Sequence, residues 1–399
     1  MKVLVVNAGS SSLKYQLIEM DTEEAICKGN IECIGINGSK LTHKIGAKEF
    51  VIEHPIANHT QAFELLIKCL TEGETKVIHD TNDVKAVGHR VVHSGEEFTS
   101  SAYIDDDAME KLEKVSYMAP LHNPAAVNCI KSCMQVFKNT PNVAVFDTAF
   151  HSSMPSKASM YAIPYEDYQT YKIRKYGFHG TSHRFVSQEA IKYLTERGLP
   201  CGKIVTCHLG NGSSLTAVKD GKCIDTSMGV TPIDGVPMGT RCGSIDPSVV
   251  DMLSNYKHMP TGEVLSYLNK KSGFLGVSGR SSDARDICNM AADGDMRAIL
   301  ARDMFAYSCK KFIGSYAAAM NGLDCVVFTG GIGENSAIFR KLILEDMNYL
   351  GIELDEEQNK KRGEFINLTA KGSRVQILAI PTNEELVIAR DTKEIVENL

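Results

Sequence analysis

Short β-branched runs separated by turn residues dominate the first third of the chain. Val3–Val6, Leu13–Ile18 and segments around 25–34, 40–45 and 48–53 have the length and composition of strands. The period then changes. In TQAFELLIKCLTEG the residues Ala62, Leu65, Leu66, Cys69 and Leu70 share one helical face, and Gly73 supplies a stop. VKAVGHRVVHSG reads as a strand again, NPAAVNCIKSCMQVF as a helix capped by Asn123 with Pro124 in its first turn, and NVAVFDTAF as a buried strand. After about residue 150 a Pro- and Tyr-rich connector, MPSKASMYAIPYEDYQTYKIRKYG, marks the expected domain boundary. The second half repeats the plan: helix 181–196, strand 203–208, a strand pair around Asp220-Gly221, and helices near 246–257 and 261–271. A long amphipathic helix over about 295–320 follows, then a strand opening CVVFTGGIGEN, helix 336–346, strand VQILAI and a last helix from about 383.

One motif occurs twice. VVNAGSSSLKYQL (5–17) and CHLGNGSSLTAV (207–218) each place a Gly/Ser turn between apolar strands, and an offset of 202 lays Ser11, Ser12 and Leu13 on Ser213, Ser214 and Leu215. Such a turn lets backbone N–H groups and hydroxyls approach an anion closely. A third glycine cluster, TGGIGEN (329–335), also follows a strand. Three such turns point to a nucleotide held in a cleft between two similar halves of a duplicated α/β chain. The Walker sequence GxxxxGK[ST] is absent, and no GxGxxG opens a βαβ unit at the start, so neither of those phosphate sites is supported.

Composition narrows the partners. Forty-three basic against 49 acidic side chains leave a net charge of −6, with no basic block to track nucleic acid. The 12 cysteines show no CxxC pair and mostly lie in apolar runs, which fits reduced thiols in a cytoplasmic protein. The apolar run Val3–Val6 is too short for a signal peptide, and no stretch is long enough to span a bilayer, so no membrane association is expected.

The motifs NAGSSSLKY, GHRVVHSG, FDTAFH, YGFHGTSH, HLGNGSS, DTSMG, GTRCGSIDP, SDAR, GGIGEN and TNEE occur in that order over nearly the whole chain. In this the sequence resembles the acetate kinase family. The resemblance implies a duplicated βββαβαβα core of the actin-like ATPase and ribonuclease H-like kind, with two domains and a nucleotide cleft between them. It implies a first domain over 1–150, with the C-terminal helix from about 384–399 packing back on it. The second domain, 151–383, would bind nucleotide and form a homodimer. The activity implied is reversible, Mg²⁺-dependent transfer of the ATP γ-phosphoryl group to acetate, giving acetyl phosphate and ADP, with Mn²⁺ as a substitute metal.

The residues can be asked about that chemistry directly. Phosphoryl transfer needs positioned phosphates and donors to the equatorial oxygens. Arg90 follows an apolar strand and Arg241 sits in the glycine-rich MGTRCGS, unusual places for surface ion pairs. His179 precedes a helix that Thr181 or Ser182 would cap, and its HxxxH spacing to His183 lacks the further ligands of a zinc site. Asp147 ends an apolar strand. The resemblance makes Arg90, Asp147, His179 and Arg241 the catalytic set, with Asp147 as acid/base. An acetate nucleophile is already ionised, however, so Asp147 is expected chiefly to orient metal-bound water or an arginine.

The resemblance further implies Asn7 and Glu384 at the metal and Lys14, His208, Leu209, Gly210, Asn211 and Gly212 at the nucleotide phosphates. Asp283, Ala284, Arg285, Gly331, Ile332, Gly333, Glu334 and Asn335 would surround adenosine. Arg90, Val92, Leu121, Phe178 and Pro232 would hold the acid, closing on a short chain with propionate as a slower substrate. Glu385 is barely separable from Glu384 by sequence. The first turn would hold the metal and face the transferring phosphate from the wall opposite the second. An actin-like or chaperone ATPase, which leaves both arginines and His179 without a task, and a propionate or butyrate kinase are the competing readings.

Overall fold

Residues 1–120 and 122–399 are described by a computed structural model, in which the chain divides into two compact units, Met1–Phe150 with Asn383–Leu399, and His151–Thr382. Leu121 lies outside the described residues.

The first unit is built on an eight-stranded sheet. Its strands are β1 (Lys2–Ala8), β2 (Ser12–Glu19), β3 (Glu24–Glu32), β4 (Lys40–Ile45), β5 (Lys48–Glu53), β6 (Val84–Val91), β7 (Ala102–Tyr103) and β8 (Asn142–Phe146). They lie in the order β5-β4-β3-β2-β1-β6-β8-β7. β1 to β5 form an antiparallel meander, whereas β1, β6 and β8 are mutually parallel. The run Val3–Val6 is apolar at every position because both faces of β1 are covered. Leu4 and Val6 pack in one cluster with Phe63, Leu66 and Cys133; Val3 and Val5 pack in another with Ile388 and Ala389 of the helix Glu384–Glu397.

Two local expectations are corrected here. In the helix His59–Thr71 the buried face holds Ala62, Phe63, Leu66, Cys69 and Leu70, with the expected Leu65 only half-buried against the same cluster. Asn123 does not cap the helix Asn123–Val136; His122 occupies the cap position. The Asn123 side chain is instead spent on the turn after β6, accepting from His93 N at 3.1 Å and donating to His93 O at 2.8 Å.

The second unit carries β9 (Lys203–Leu209), β10 (Ser213–Lys219), β11 (Lys222–Thr226), β12 (Cys325–Thr329), β13 (Ile366–Asn367) and β14 (Gln376–Ala379) in the order β11-β10-β9-β12-β14-β13. β9, β10 and β11 are antiparallel, and β9, β12 and β14 parallel. This matches β3-β2-β1-β6-β8 strand for strand, so the core is duplicated. Asp220 and Gly221 both have positive φ, 50° and 78°, as a two-residue hairpin turn requires. The single offset of 202 does not hold. Ala8 pairs with Leu13 across the turn Gly9–Ser12, but Leu209 pairs with Ser213 across the shorter Gly210–Gly212.

The long helix Met296–Met320, capped by Asp295, lays Phe305, Cys309, Ile313 and Met320 on this sheet. The cluster after β12 is a short helix, Gly330–Asn335, rather than an extension of the strand. Gly330 begins it at φ 75°, with its missing Cβ position 2.7 Å from Leu209 O, so a larger residue has neither the conformation nor the room.

Gly88 in β6 lets the helix Glu384–Glu397 close onto the first sheet, since an added Cβ would come within 2.7 Å of Ile388 Cγ2. Gly88→Ala is expected to destabilise the first unit by ~1–3 kcal/mol through overpacking. Urea denaturation read by far-UV circular dichroism checks this; an unchanged midpoint contradicts the packing described.

Candidate active site

The first unit gathers charge at the carboxyl ends of its parallel strands. Asn7 is the last residue but one of β1, Arg90 lies near the end of β6, and Asp147 directly follows β8. The edge where such ends meet is where open α/β sheets bind ligands. Arg90 Nη2 donates to Asp147 Oδ2 at 3.1 Å, and Arg90 Nε lies 3.9 Å from Glu384 Oε2. Asp147 is buried, and its backbone N–H is tied to Val91 O at 2.9 Å. Burial works against the Arg90 charge, but Asp147, Glu384 and Glu385 outweigh it and hold the guanidinium above its ordinary value. Asp147 and Arg90 are thus held against each other.

Lys14 stands opposite Asn7 in the β1–β2 register. A cleft of about 210 Å³ is lined by Asn7, Gly9, Ser12, Lys14, Arg90 and Val92, among others. Glu384 opens the last helix, whose cap Asn383 accepts from Leu386 N. Asn7 and Glu384 offer an amide oxygen and a carboxylate, both near Arg90. Hard oxygen donors in small number suit Mg²⁺, which keeps several waters and needs no protein cage. No group of three or more His, Cys, Asp or Glu among the described residues forms such a cage.

The second unit gathers donors around the turn Gly210–Gly212. His179 has φ 58° and precedes the helix Gly180–Thr195. Thr181 and Ser182 are already inside that helix and do not cap it; Ser182 Oγ is hydrogen-bonded to His208 Nδ1 at 2.8 Å. The rings of His179 and His208 stack with centroids 4.2 Å apart. A Cβ on Gly212 would stand 3.4 Å from both Arg241 Nη1 and His179 Nε2, so the absent side chain leaves both groups facing one small space. Arg241 is steadied by donating to Pro232 O at 2.9 Å, and burial pulls its guanidinium below the ordinary value. Phe178 is buried, and its carbonyl is bonded to His151 Nε2. Val92 belongs to the first unit, Phe178 and Pro232 to the second.

The remaining expected contacts separate into side chains and backbone. Leu209 and Ile332 point into the core, so only their backbone is available to a ligand. Glu334 is occupied locally: its Oε1 accepts from Gly330 N at 2.9 Å, Thr382 N at 3.2 Å and Thr329 Oγ1 at 3.3 Å. Asn335 likewise donates to Gly331 O. Asp283 caps the helix Ala284–Ala292 and pairs with Arg285, which lowers the Asp283 carboxyl to about 2; the Arg285 side chain is largely exposed.

Sequence reasoning missed Arg340. It is fully buried, donating through Nη1 to Gly333 O and Glu334 O, through Nη2 to Asn359 O and Lys361 O, and through Nε to Asn359 Oδ1. Burial pushes this guanidinium down to about 10, and its bonds fix the end of the loop helix Gly330–Asn335. The signal was present: Arg340 shares the buried stripe of its helix with Phe339, Ile343 and Leu344.

The model of the acetokinase family matches residues 2–390. An acetate kinase of Clostridium botulinum (strain 657 / Type Ba4) is 53% identical over 395 residues, 99% of either chain. The crystal structure of Porphyromonas gingivalis acetate kinase superposes with a TM-score of 0.95 at 41% identity, covering 99% of both chains. A propionate kinase from Francisella tularensis subsp. tularensis SCHU S4 superposes with a TM-score of 0.90 at 43% identity, covering 98% of this chain and 99% of that one. A duplicated core, two fixed arginines and relatives matched along their full length lead to one conclusion: the chain belongs to the acetokinase family.

Proposed function

We propose that this chain is an ATP-dependent acetate kinase, transferring the γ-phosphoryl group of ATP to acetate by direct in-line displacement, reversibly. The observation that carries the reading is the end-to-end relationship to acetate kinases in a chain whose Arg90 and Arg241 are each held by fixed partners. In the first unit Arg90 binds the acetate carboxylate, Asp147 fixes the arginine, and Val92 meets the methyl group.

Arg241 and His179 donate to the equatorial oxygens of the transferring group, where charge spreads in the transition state. His208 with the backbone of Leu209–Gly212, and Lys14, hold phosphates. Asp283–Arg285 and Gly331–Asn335 receive the nucleoside, with Glu334 and Arg340 keeping the second of these in shape. Asn7 and Glu384 would hold Mg²⁺ or Mn²⁺, which when bound neutralises phosphate charge.

The propionate kinase relative supports propionate as a second substrate. One methylene shifts discrimination by only ~1–3 kcal/mol in an apolar pocket. We place the enzyme in the cytoplasm. All 12 cysteines are free thiols, and no helix among the described residues is long and apolar enough to cross a membrane. A homodimer through the second unit accounts for an exposed apolar stripe, Met296, Leu300, Met304 and Tyr307, on one side of the helix Met296–Met320, with Met252, Tyr256 and Leu265 exposed on the helices Ser248–Lys257 and Thr261–Lys270.

Trapping acyl phosphate with hydroxylamine in the presence of ATP and Mg²⁺ is expected to give strong product with acetate, less with propionate and least with butyrate. Nucleotide hydrolysis without acyl phosphate from any acid contradicts the assignment. Arg241→Ala is expected to lower kcat by ~10²–10³-fold, the cost of losing one transition-state donor, and Arg90→Ala, which loses the carboxylate's partner, to lower kcat/KM for acetate by as much. Steady-state kinetics within tenfold of the parent enzyme would remove these residues from the catalytic set. Light scattering on the eluting protein is expected to give the mass of a dimer, and that of a monomer for Leu300→Glu/Met304→Glu; a parent monomer overturns the dimer.

A further inference from the structure

Behind His179, inside the second unit, runs a row of hydroxyls and imidazoles. His179 Nδ1 lies 2.8 Å from Ser214 Oγ, Ser214 Oγ lies 2.7 Å from His183 Nε2, and His183 Nδ1 lies 2.7 Å from Thr206 Oγ1. His183, Ser214 and Thr206 have no exposed surface. Each hydroxyl has one proton to donate, so the direction of any one bond sets the direction of the next.

His183 is the pivot. Burial, with lesser contributions from His151, His208 and His179, depresses its pKa well below the ordinary value, so it is neutral and carries a single N–H. Two proton orders follow. In the first, Thr206 donates to His183 Nδ1, His183 Nε2–H donates to Ser214, and Ser214 donates to His179 Nδ1. In the second every bond is reversed, and the Thr206 proton must go to Thr216 O, 3.5 Å away. That separation is at the outer limit of a hydrogen bond, against 2.7 Å for the alternative. The first order makes four good bonds if His179 Nε2–H meets an acceptor, and Nε2 is the atom that lies by Gly212 and Arg241. In that order His179 Nδ1 accepts from Ser214, so the ring proton of His179 sits on Nε2.

We propose that His183, acting through Ser214, is a positioning residue that holds His179 as the neutral Nε2–H tautomer. His179 then donates a hydrogen bond to the transferring phosphoryl group and offers that group no lone pair. The identity of the acceptor rests on the kinase reading; the tautomer rests on the hydrogen-bond row. No proton is transferred in this scheme. The row sets polarity, and His179 keeps its hydrogen throughout.

The test is nitrogen-15 NMR of the full-length, histidine-labelled protein near pH 7.5, with ring signals assigned by single His→Gln variants. His179 and His183 are both expected to show the neutral Nε2–H signature. An Nδ1–H tautomer or an imidazolium at either ring overturns the proposal, whether or not the protein makes acetyl phosphate. Failure of the kinase reading is seen separately, as absent product with the expected tautomers in place. Thr206→Val removes the hydroxyl that starts the row. It is expected to give His179 a mixture of tautomers and to lower kcat about tenfold with KM values little changed, a milder loss than the ~10²–10³-fold cost of deleting a donor. Thr206→Ser, which keeps the hydroxyl, restores both. Unchanged tautomers in Thr206→Val also overturn the proposal, and if that variant does not fold, the parent spectrum decides.

Discussion

Everything chemical in this chain depends on a strand that pairs antiparallel on one side and parallel on the other. β1 does so between β2 and β6, and β9 between β10 and β12. On the parallel side the strands all end at one edge, which brings Asn7, Arg90 and Asp147 together across long stretches of sequence. On the antiparallel side a tight turn presents glycine and serine at that same edge. Duplication of this strand gives two such edges, and each has been fitted differently.

The difference is one of charge. In the first unit Arg90 works beside acids, and its positive charge is largely balanced by Asp147 and Glu384. Removing Arg90 would take the guanidinium 3.1 Å away from buried Asp147, so its loss touches stability as well as chemistry. In the second unit Arg241 is anchored by a carbonyl, and no carboxylate among the described residues pairs with it. Its charge stays available to an anion. The neighbouring rings of His179 and His208 are oriented by hydrogen bonds to Ser214 and Ser182. Acids suit a region that binds a cation, and an unbalanced arginine suits one that binds a phosphoryl group.

Much of this was legible in the sequence where local chemistry decides. Val3–Val6 announces a strand covered on both faces, Asp220-Gly221 a tight hairpin, and the helix near 295 begins at its acidic cap, Asp295. The motifs carrying Arg90, Asp147, His179 and Arg241 were also visible. What sequence could not supply were side chains claimed by distant partners. Asn123 has the composition of a cap but serves His93, and Ser182 serves His208. Glu334 stitches its own loop, with Arg340 buried beneath it. The 202-residue offset failed because one turn is shorter than the other, a change that strand pairing reveals and residue matching hides.

The central claim is that fixed donors hold a phosphoryl group through one displacement, with no side chain taking it on the way. Transfer from ATP made chiral at the γ-phosphorus with three oxygen isotopes tests this most directly. A single in-line transfer inverts the configuration in acetyl phosphate, and inversion is the result predicted. Retention would require two displacements and a phosphorylated side chain, contradicting both the direct mechanism and a His179 that offers no lone pair.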